Sequence, residues 1–435
     1  MTSDTIFALS SGMPPAALAV IRISGPAAGN ALHALAGRLP SPRRASLAML
    51  RHPVDGSELD RALLLWFPGP ATATGEDLAE LHLHGGRAIV RAVEGVLAGL
   101  PGLRPAEAGE FTRRALMNGR IDLAEAEGLG DLLTAETESQ RRAALAVAGG
   151  ALSRAVAGWQ ERLLALSARV EALLDFADEE DVDADAADIA LLHQGSTALR
   201  SEWLTWLARP RAERLRDGIS VAIAGPPNAG KSTLINALAG RDAAIVSPQA
   251  GTTRDIIELP LAIEGVPFRI ADTAGLHDAT EDAIEAEGMA RARVWIDNAD
   301  LLLWLGYPEQ APDHPHLCRI AAQADRAGDM ADWESRRAAA DLILSARTGE
   351  GMEALYQWLI SAARDLLPLE SEIALNARQA DALADAAAAL DGQPNDLILI
   401  AEQLRAARVA IDRITGQAGT ESMLDALFGR FCIGK

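Results

Sequence analysis

The stretch GPPNAGKST, Gly225 to Thr233, has the residue types and spacing of a loop that binds phosphate. Its two glycines let the backbone approach an anion. The residues after it have the pattern of a helix, whose first N–H groups attract negative charge. The chain has 40 basic residues, of which only Lys231 and Lys435 are lysines. Arginine's wide planar guanidinium would not fit inside so tight a loop, whereas the compact ammonium of Lys231 can reach the β- and γ-phosphate oxygens of a nucleotide.

The residues of this loop have separable roles toward a nucleotide. Lys231 is the candidate catalytic cation, and Ser232 is the candidate Mg²⁺ ligand. The backbone N–H groups expected around the β-phosphate belong to Asn228, Ala229, Gly230, Lys231, Ser232 and Thr233.

Two downstream motifs extend the site toward the γ-phosphate. GTTRD, Gly251 to Asp255, supplies threonines, and Thr253 is a second candidate Mg²⁺ ligand. DTAG follows a strand-like run, so the carboxylate of Asp272 is expected near Mg²⁺, beyond its direct ligands. The backbone expected to face the γ-phosphate belongs to Thr273, Ala274 and Gly275.

The signal for the nucleotide base is weaker. Guanine-specific proteins carry Asn-Lys-x-Asp, and the best-placed tetrapeptide here is AQAD, which ends at Asp325. Asp325 can still accept hydrogen bonds from a guanine ring, although the Asn and the Lys are replaced. SAR lies where a second base loop belongs and would act mainly through backbone; its residues are Ser345, Ala346 and Arg347. The sequence favours GTP over ATP.

Hydrolysis requires a group that orients a water molecule. Ras-like enzymes use a Gln just after DTAG, but this chain has Leu276 there, which cannot hydrogen-bond. The nearby polar candidates are Glu281, Asp282, Glu285 and Glu287. The residues alone leave the choice among these four open.

The hydrophobic pattern predicts the elements that hold these residues. ISVAIA (219–224) is a strand-like run before the loop, and Lys231 to Ala239 has the pattern of a helix. PFRIAD, DLLLWLG and DLILSA are further strand-like runs, separated by Ala-rich stretches that indicate helices. Residues 216–366 therefore have the pattern of a doubly wound α/β domain with a parallel sheet, and the chain is expected to be a multidomain α/β protein.

Two other regions complete the predicted organisation. Residues 119–215 and 367–435 are helical in pattern, so the α/β domain is expected to be inserted into an α-helical domain. Residues 1–118 alternate short apolar runs with Gly/Pro turns, which is typical of an α+β domain.

Composition limits the function classes. A net charge of −21 argues against a surface that binds polyanions everywhere, because nonspecific nucleic-acid binding depends on clustered cations; a local basic patch remains compatible with it. Two cysteines cannot form a disulfide framework or a four-cysteine metal site. The first residues lack a secretory pattern, and no uncharged apolar run reaches about 18 residues, so we expect a cytoplasmic protein without a membrane span.

A set of segments in a fixed order covers essentially the whole chain. They are DTI and AVIRISGP near the start, GEDLAELHLHGG, GEFTRRALMNGRIDLAEAEGLGDL, the phosphate loop with its Asn, GTTRD, DTAGL, SARTGEG and the terminal FCIGK. Each alone is a weak signal, but their order and spacing are specific. In this the chain resembles the MnmE/TrmE family of tRNA-modification GTPases.

The resemblance implies a one-carbon donor site in the first domain. In the family this domain is similar to folate-dependent aminomethyltransferase domains and binds a tetrahydrofolate derivative, 5-formyl- or methylene-tetrahydrofolate. The matching positions are Arg22, Glu80, Arg120 and Lys435. Arg120 stands where the family usually has lysine, so the charge is preserved. Without the resemblance, Arg22 and Glu80 would be interpreted as ordinary polar strand positions.

The resemblance also implies a K⁺ site and selects one carboxylate. Asn228 matches the family's cation ligand, and K⁺ there would bring positive charge to the phosphates in the place of an arginine finger. The loop expected to complete the site contributes Ser247, Gln249 through its carbonyl, and Thr252. Glu285 matches the family's water-orienting Glu through its ExxG context.

The function that the resemblance implies is GTP-driven addition of an aminomethyl or carboxymethylaminomethyl group to C5 of the wobble uridine (U34) of certain tRNAs. A flavoprotein partner of the MnmG/GidA type, using FAD and NADH, would join it in a heterotetramer. The chain would be a homodimer through its N-terminal domains, and GTP with K⁺ would bring the two α/β domains together. Cys432, within FCIGK, is either a nucleophile near the substrate or a packing residue.

Two other classes share parts of this pattern. A ribosome-assembly GTPase would have the phosphate loop and GTTRD, but it needs an RNA-binding appendage and leaves residues 1–118 and FCIGK unexplained. A free-standing folate-dependent methyl-transfer enzyme would have a degenerate nucleotide domain, and the intact Lys231, Ser232 and Asp272 count against that.

Overall fold

In the computed structural model of the chain, the described residues are 4–177, 186–240, 258–272, 294–369, 372–416, 427–429, 431 and 433–434. They form two compact units. The first is made of described residues from 1–130, 148–156 and 412–435, and the second of those from 131–147 and 157–411. The domain boundaries expected after residues 118, 215 and 366 remain predictions.

A six-stranded sheet forms the framework of the first unit. Its strands are β1 Thr5–Leu9, β2 Leu18–Ser24, β3 Ser46–Arg51, β4 Glu58–Phe67, β5 Leu78–His84 and β6 Leu103–Pro105. Their order across the sheet is β3-β4-β5-β2-β1-β6. All neighbours are antiparallel except β1 and β6. This is the mixed α+β architecture that the sequence predicts for the N-terminal region.

Alternation along the strands separates a core face from a polar face. In β4, Ala62, Leu64 and Trp66 are buried while their neighbours are less so, as the two-residue period of a strand requires. The buried face packs against two helices, α1 Ala28–Ala36 and α2 Arg87–Ala98. In β2, Ile21 and Ile23 belong to this core, which places Arg22 on the opposite face.

The second unit contains a doubly wound sheet. Its strands are β7 Ile219–Ala224, β8 Glu258–Ile263, β9 Val266–Asp272, β10 Leu301–Trp304, β11 Leu317–Ala322 and β12 Leu342–Leu344, in the order β12-β11-β10-β7-β9-β8. Only β8, at the edge, is antiparallel to its neighbour. Every residue of the central strand β7 is buried, because helices cover both faces of a parallel sheet and such strands are apolar throughout.

The described residues also contain twelve further α-helices. They are α3 Glu110–Met117, α4 Leu123–Thr134, α5 Glu138–Ala148, α6 Ala151–Ala177, α7 Ala186–Leu207, α8 Ala212–Arg216, α9 Lys231–Ala239, α10 at residues 294–298, α11 Trp333–Ala338, α12 Met352–Arg364, α13 Ala377–Ala389 and α14 Leu397–Thr415. Short 3-10 helices lie at Pro308–Gln310 and Ala324–Asp329. No helix in these described parts is long and apolar enough to cross a membrane.

A helix that precedes the doubly wound sheet in the sequence packs against a helix that follows it. On α7, Leu192 and Leu199 are fully buried, and the Nε of Arg200 donates to the carbonyl oxygen of Ala387 on α13 at 3.2 Å. The α/β region is therefore an insertion between helical segments. The predicted fold class, an inserted phosphate-loop domain in a helical domain with an α+β domain before it, is confirmed.

Two strands of the second sheet were not predicted. LCRIAA, which forms β11, lies in a stretch that the sequence pattern assigned to helix, because alanines surround it. Its Cys318 and Ile320 are buried against the core, so tertiary packing overrides the local preference. Burial also raises the pKa of the Cys318 thiol to about 12, so this cysteine stays protonated and acts as a core residue. The edge strand β8 was missed as well.

Candidate functional site

The phosphate loop connects the central strand β7 to helix α9. Two of its glycines adopt backbone angles that side chains disfavour: φ is 151° at Gly225 and 98° at Gly230. A Cβ on Gly225 would lie 3.0 Å from the carbonyl carbon of Leu305, which follows β10. The loop therefore passes so close to a neighbouring strand end that only glycine fits. The two glycines of the sequence motif therefore occupy the positions where the loop's backbone requires glycine.

Lys231 is the first residue of α9 and lies inside the loop. Its side chain is almost fully buried, and its ammonium donates to the carbonyl oxygens of Gly225 at 2.8 Å and Pro226 at 2.9 Å. The loop's own backbone thus holds the charge at the point where α9 begins. A helix N-terminus attracts anions through its N–H groups and its dipole, and the ammonium adds a full positive charge beside them.

The loop residues next to Lys231 have different exposures. Ser232 and Thr233 are exposed on the first turn of α9, whereas Ala229 is 2% exposed and packs into the core. Asn228 is exposed and has a positive φ of 62°. The hydroxyl of Ser232 is therefore accessible to serve as a Mg²⁺ ligand beside a bound phosphate, and the side-chain amide oxygen of Asn228 is accessible to serve as a K⁺ ligand.

The candidate base loops follow β11 and β12, two neighbouring parallel strands. Asp325 is exposed in the 3-10 helix after β11, while Ser345, just after β12, is fully buried. The Ser345 hydroxyl donates to Oδ1 of Asp325 at 2.6 Å and accepts from the backbone N–H of Thr348 at 3.2 Å. The sequence interpretation gave this second loop a backbone role; the structure adds a side-chain bond that orients the carboxylate. Ala346 is half-buried and Arg347 is exposed.

Sequence reasoning did not single out Gln323, which stands in the lysine position of Asn-Lys-x-Asp. Its side-chain amide nitrogen donates to the carbonyl oxygen of Asn228 at 2.9 Å. The tetrapeptide after β11 is thereby joined to the phosphate loop. The replaced position in the motif was the only signal in the sequence that could have directed attention to Gln323.

Several predicted site residues lie outside the described residues. These are Ser247, Gln249, Gly251, Thr252, Thr253, Thr273, Ala274, Gly275, Glu285 and Lys435, together with Cys432. Asp272 is the last residue of β9, and its backbone is in register with Ile223 near the end of β7. The strand therefore ends beside the phosphate loop, as the DTAG motif predicts.

In the first unit, Arg22 and Glu80 face each other across β2 and β5. Their backbones are in register, and the guanidinium donates to Oε1 of Glu80 from Nε at 3.2 Å and from Nη2 at 3.0 Å. His82, two residues along β5, has its Nε2 3.3 Å from Oε2 of Glu80. The Arg22 guanidinium also lies 5.9 Å from the ring centroid of Phe111. The resemblance pointed to Arg22 and Glu80, whereas His82 was missed.

Arg120 is exposed and lies beside the loop that precedes β5. Its Nε donates to the carbonyl oxygen of Thr72 at 3.1 Å, and the side-chain amide of Asn118 donates to the carbonyl oxygen of Thr74 at 2.7 Å. The Thr74 hydroxyl is 2.7 Å from the hydroxyl of Ser24, the last residue of β2. Through these bonds the loop connects Arg120 to the strand that carries Arg22.

The described end of the chain lies against β1. Ile433 forms an antiparallel bridge with Ala108, and the carbonyl oxygen of Gly434 accepts from the Ser10 hydroxyl at 2.8 Å. A Cβ on Gly434 would lie 2.2 Å from the carbonyl oxygen of Leu9, so this backbone approach requires glycine. Because β1 pairs with β2, Ile433 and Gly434 lie in the same unit as Arg22 and Glu80.

Comparisons with known proteins cover both units. The model of the GTP-binding protein TrmE N-terminus matches residues 5–120, and the model of the MnmE helical domain matches residues 123–432. A protein of Sphingopyxis alaskensis, named tRNA modification GTPase MnmE, is 62% identical over 95% of this chain and 100% of its own length. A protein of the same name from Rhizorhabdus wittichii is 60% identical over 100% of this chain and 97% of its own length.

Proposed function

The chain belongs to the MnmE/TrmE family of tRNA modification GTPases, and from this membership and the site geometry we propose that it hydrolyses GTP in order to modify tRNA. The observation that carries the proposal is the ammonium of Lys231, held by the loop's own carbonyls at the start of α9. A lysine at this position of a phosphate loop reaches the β- and γ-phosphate oxygens of a bound nucleotide.

The phosphate site provides positive charge and fixed N–H groups. The ammonium of Lys231 and the first N–H groups of α9 would stabilise the charge that develops on the transferred phosphoryl group. Ser232 and Thr253 would hold Mg²⁺, with Asp272 behind them. A K⁺ ion would be held by Asn228, Ser247, Gln249 and Thr252. When bound, these ions neutralise phosphate charge; the protein's own task is to keep the loop backbone in place.

The base site supports a guanine nucleotide. Asp325 presents an exposed carboxylate, and guanine offers N–H donors where adenine offers an acceptor. Ser345 holds that carboxylate in one orientation. We therefore assign GTP as the substrate. From the resemblance to the family, we propose Glu285 as the residue that orients the attacking water.

For the modification itself, we propose a tetrahydrofolate one-carbon donor bound in the first unit. Glu80 is a carboxylate fixed by Arg22, which suits the N–H donors of a pterin ring. Arg120 and Lys435 would provide positive charge for the donor's carboxylates. The product would be an aminomethyl or carboxymethylaminomethyl group at C5 of the wobble uridine of certain tRNAs.

This chemistry requires partners. We propose a homodimer through the N-terminal domain, residues 1–118, and a heterotetramer with an FAD-dependent partner of the MnmG/GidA type that supplies redox chemistry. Residues 119–215 with 367–435 would form the helical domain that carries the GTPase domain, residues 216–366. Because its substrate is tRNA, the protein would act in the cytoplasm.

The decisive experiment is nucleoside analysis of tRNA from cells that lack the protein. We expect the C5 modification of wobble uridine to disappear and to return with the natural chain but not with Lys231→Ala. Arg405→Ala, an exposed change on α14, is the matched control and should restore the modification. Equal levels of the C5 modification in all strains would refute the tRNA function. Failure of the purified protein to bind GTP would refute the GTPase site itself.

A further inference from the structure

One side chain joins the two loops that are expected to hold opposite ends of a nucleotide. Gln323 follows β11 in the base tetrapeptide, and its side-chain nitrogen donates to the carbonyl oxygen of Asn228 in the phosphate loop at 2.9 Å. The two residues are 95 positions apart in sequence. The bond therefore links separate segments of the sheet's edge and is not a local turn contact.

The packing around this bond is close. A Cβ on Gly230 would lie 3.2 Å from the side-chain nitrogen of Gln323 and 3.5 Å from its Cγ. The stem of Gln323 thus lies against the last glycine before Lys231. Gln323 also has a positive φ of 65°, a conformation that a non-glycine residue adopts at some cost in free energy. The fold accepts this cost at the residue that reaches the phosphate loop.

We propose that Gln323 is a positioning residue that fixes the distance between the base-binding and phosphate-binding loops. The inference rests on the proposed binding of a guanine nucleotide and deepens it. Asp325, two residues further on, is itself held by Ser345 at 2.6 Å. Asn228, Gln323, Asp325 and Ser345 therefore form a continuous connection from the phosphate loop to β12.

The physical effect is preorganisation. A nucleotide that contacts both loops must pay for ordering them relative to each other unless the protein has already done so. A ligand that occupies only one loop gains nothing from the connection. The bond is between neutral groups, so its removal should weaken binding of the whole nucleotide by about 3- to 10-fold. Binding of the separate parts should be unaffected.

Substitutions at position 323 separate this role from packing. Gln323→Ala removes the donor, Gln323→Lys retains a donor that can reach a carbonyl, and Gln323→Glu places an acceptor against the carbonyl of Asn228. Gln310→Ala changes another glutamine of the same domain, which is exposed in a 3-10 helix, and is the matched control.

The test measures binding and release of fluorescently labelled GDP, and its displacement by guanosine or by pyrophosphate. For Gln323→Ala we expect GDP release to be about 3- to 10-fold faster, with the displacement constants of guanosine and pyrophosphate within about twofold of the natural chain. Gln323→Lys should restore slow release, Gln323→Glu should not, and Gln310→Ala should match the natural chain.

Different results identify different failures. If the natural chain binds no GDP, the proposed GTPase site is wrong and the inference falls with it. If the natural chain binds GDP and Gln323→Ala releases it at the same rate, only the positioning role is overturned. Equal weakening of pyrophosphate and GDP would mean that the substitution damages the phosphate loop, and it would also overturn the role, as would a failure of Gln323→Lys to restore slow release.

Discussion

The hydroxyl of Ser345 donates to Oδ1 of Asp325 at 2.6 Å, across the ends of two parallel strands. Ser345 is fully buried, whereas Asp325 is exposed, so a rigid group orients a group that water would otherwise leave mobile. A hydroxyl that donates to a carboxylate forms a charge-assisted bond, which is stronger than a bond between neutral groups. In the proposed base site, recognition would therefore depend on a residue that need not touch the base.

Ser345→Ala should weaken GDP binding by about tenfold, because the carboxylate of Asp325 loses its orienting bond. The Thr348 backbone N–H also loses its acceptor. Calorimetric titration with GDP measures the effect. Arg347→Ala, an exposed change in the same loop, is the control and should leave GDP affinity unchanged. Unaltered GDP affinity in Ser345→Ala would contradict the orienting role.

The geometry of the phosphate loop was predictable from sequence because it depends on a contiguous stretch of chain. The glycines at 225 and 230 are required by the backbone, and the lysine follows them at a fixed spacing. The arrangement of the candidate base loops was predicted only in part. The loops come from two strands, and the contact of Gln323 with Asn228 depends on how those strands are placed. A single sequence contains no direct signal for such a pairing.

Lys231→Arg should be nearly as damaging as Lys231→Ala. The ammonium lies 2.8 and 2.9 Å from two loop carbonyls in a nearly closed space, and a guanidinium is wider and planar. We expect GTP turnover to fall by about 10² or more in both variants, since preorganised charge at the phosphate is lost. Steady-state phosphate release measures this, with thermal unfolding to confirm the fold. Turnover in Lys231→Arg equal to that of the natural chain would contradict the steric argument.

Glu285→Ala should lower GTP turnover by about 10² or more, as loss of a group that orients the attacking water can, while GTP binding is kept. Single-turnover hydrolysis and nucleotide titration separate the two effects. Glu281→Ala and Glu287→Ala, neighbouring acidic positions, are the controls and should hydrolyse GTP normally. Unchanged turnover in Glu285→Ala, or an equal loss in a control, would reassign the role.

GTP turnover should rise markedly when K⁺ replaces Na⁺ at constant ionic strength. A K⁺ ion held at Asn228 would add positive charge next to the phosphates, and the smaller Na⁺ would fit the same oxygens poorly. Asn228→Ala should lose the difference between the two salts and keep its response to Mg²⁺. Equal turnover rates in both salts for the natural chain would refute the proposed K⁺ site.

The sites of the first unit show a second limit of sequence reasoning. Resemblance selected Arg22 and Glu80, but their direct pairing follows from the register of β2 and β5. The cluster that supports α3 brings together residues up to 110 positions apart: the side chain of Arg114 contacts the side chains of Asp4, Glu76 and Glu110 at 3.0 to 3.1 Å. Nothing local in the sequence marks these groups as partners.

The ionic cluster around Arg114 predicts a pH-dependent loss of stability. Arg114 is 3% exposed, and Arg114→Met would remove the cation that lies between the buried carboxylate of Glu110 and the partly exposed carboxylates of Glu76 and Asp4. Because Arg104 still pairs with Asp4 and Glu110 in the variant, we expect the first unit to lose about 1 to 3 kcal/mol of unfolding free energy at pH 7. Urea unfolding, followed by hydrogen exchange of the β1 and α3 amides, measures this. Arg91→Met, an exposed change on α2, should have little effect.

The difference in unfolding free energy between the natural chain and Arg114→Met should become smaller as pH falls. Burial alone would raise the pKa of the Glu110 carboxyl, but hydrogen bonds from Arg104, the Glu107 backbone and Arg114 lower it below its ordinary value. A carboxyl with a depressed folded-state pKa stabilises the fold above its unfolded pKa of about 4.3, and this stability is lost as pH falls through the folded value. The natural chain therefore loses stability on acidification that the variant already lacks. A difference that stayed constant from pH 7 to about pH 3.5 would show that Arg114 stabilises the unit through packing and not through charge.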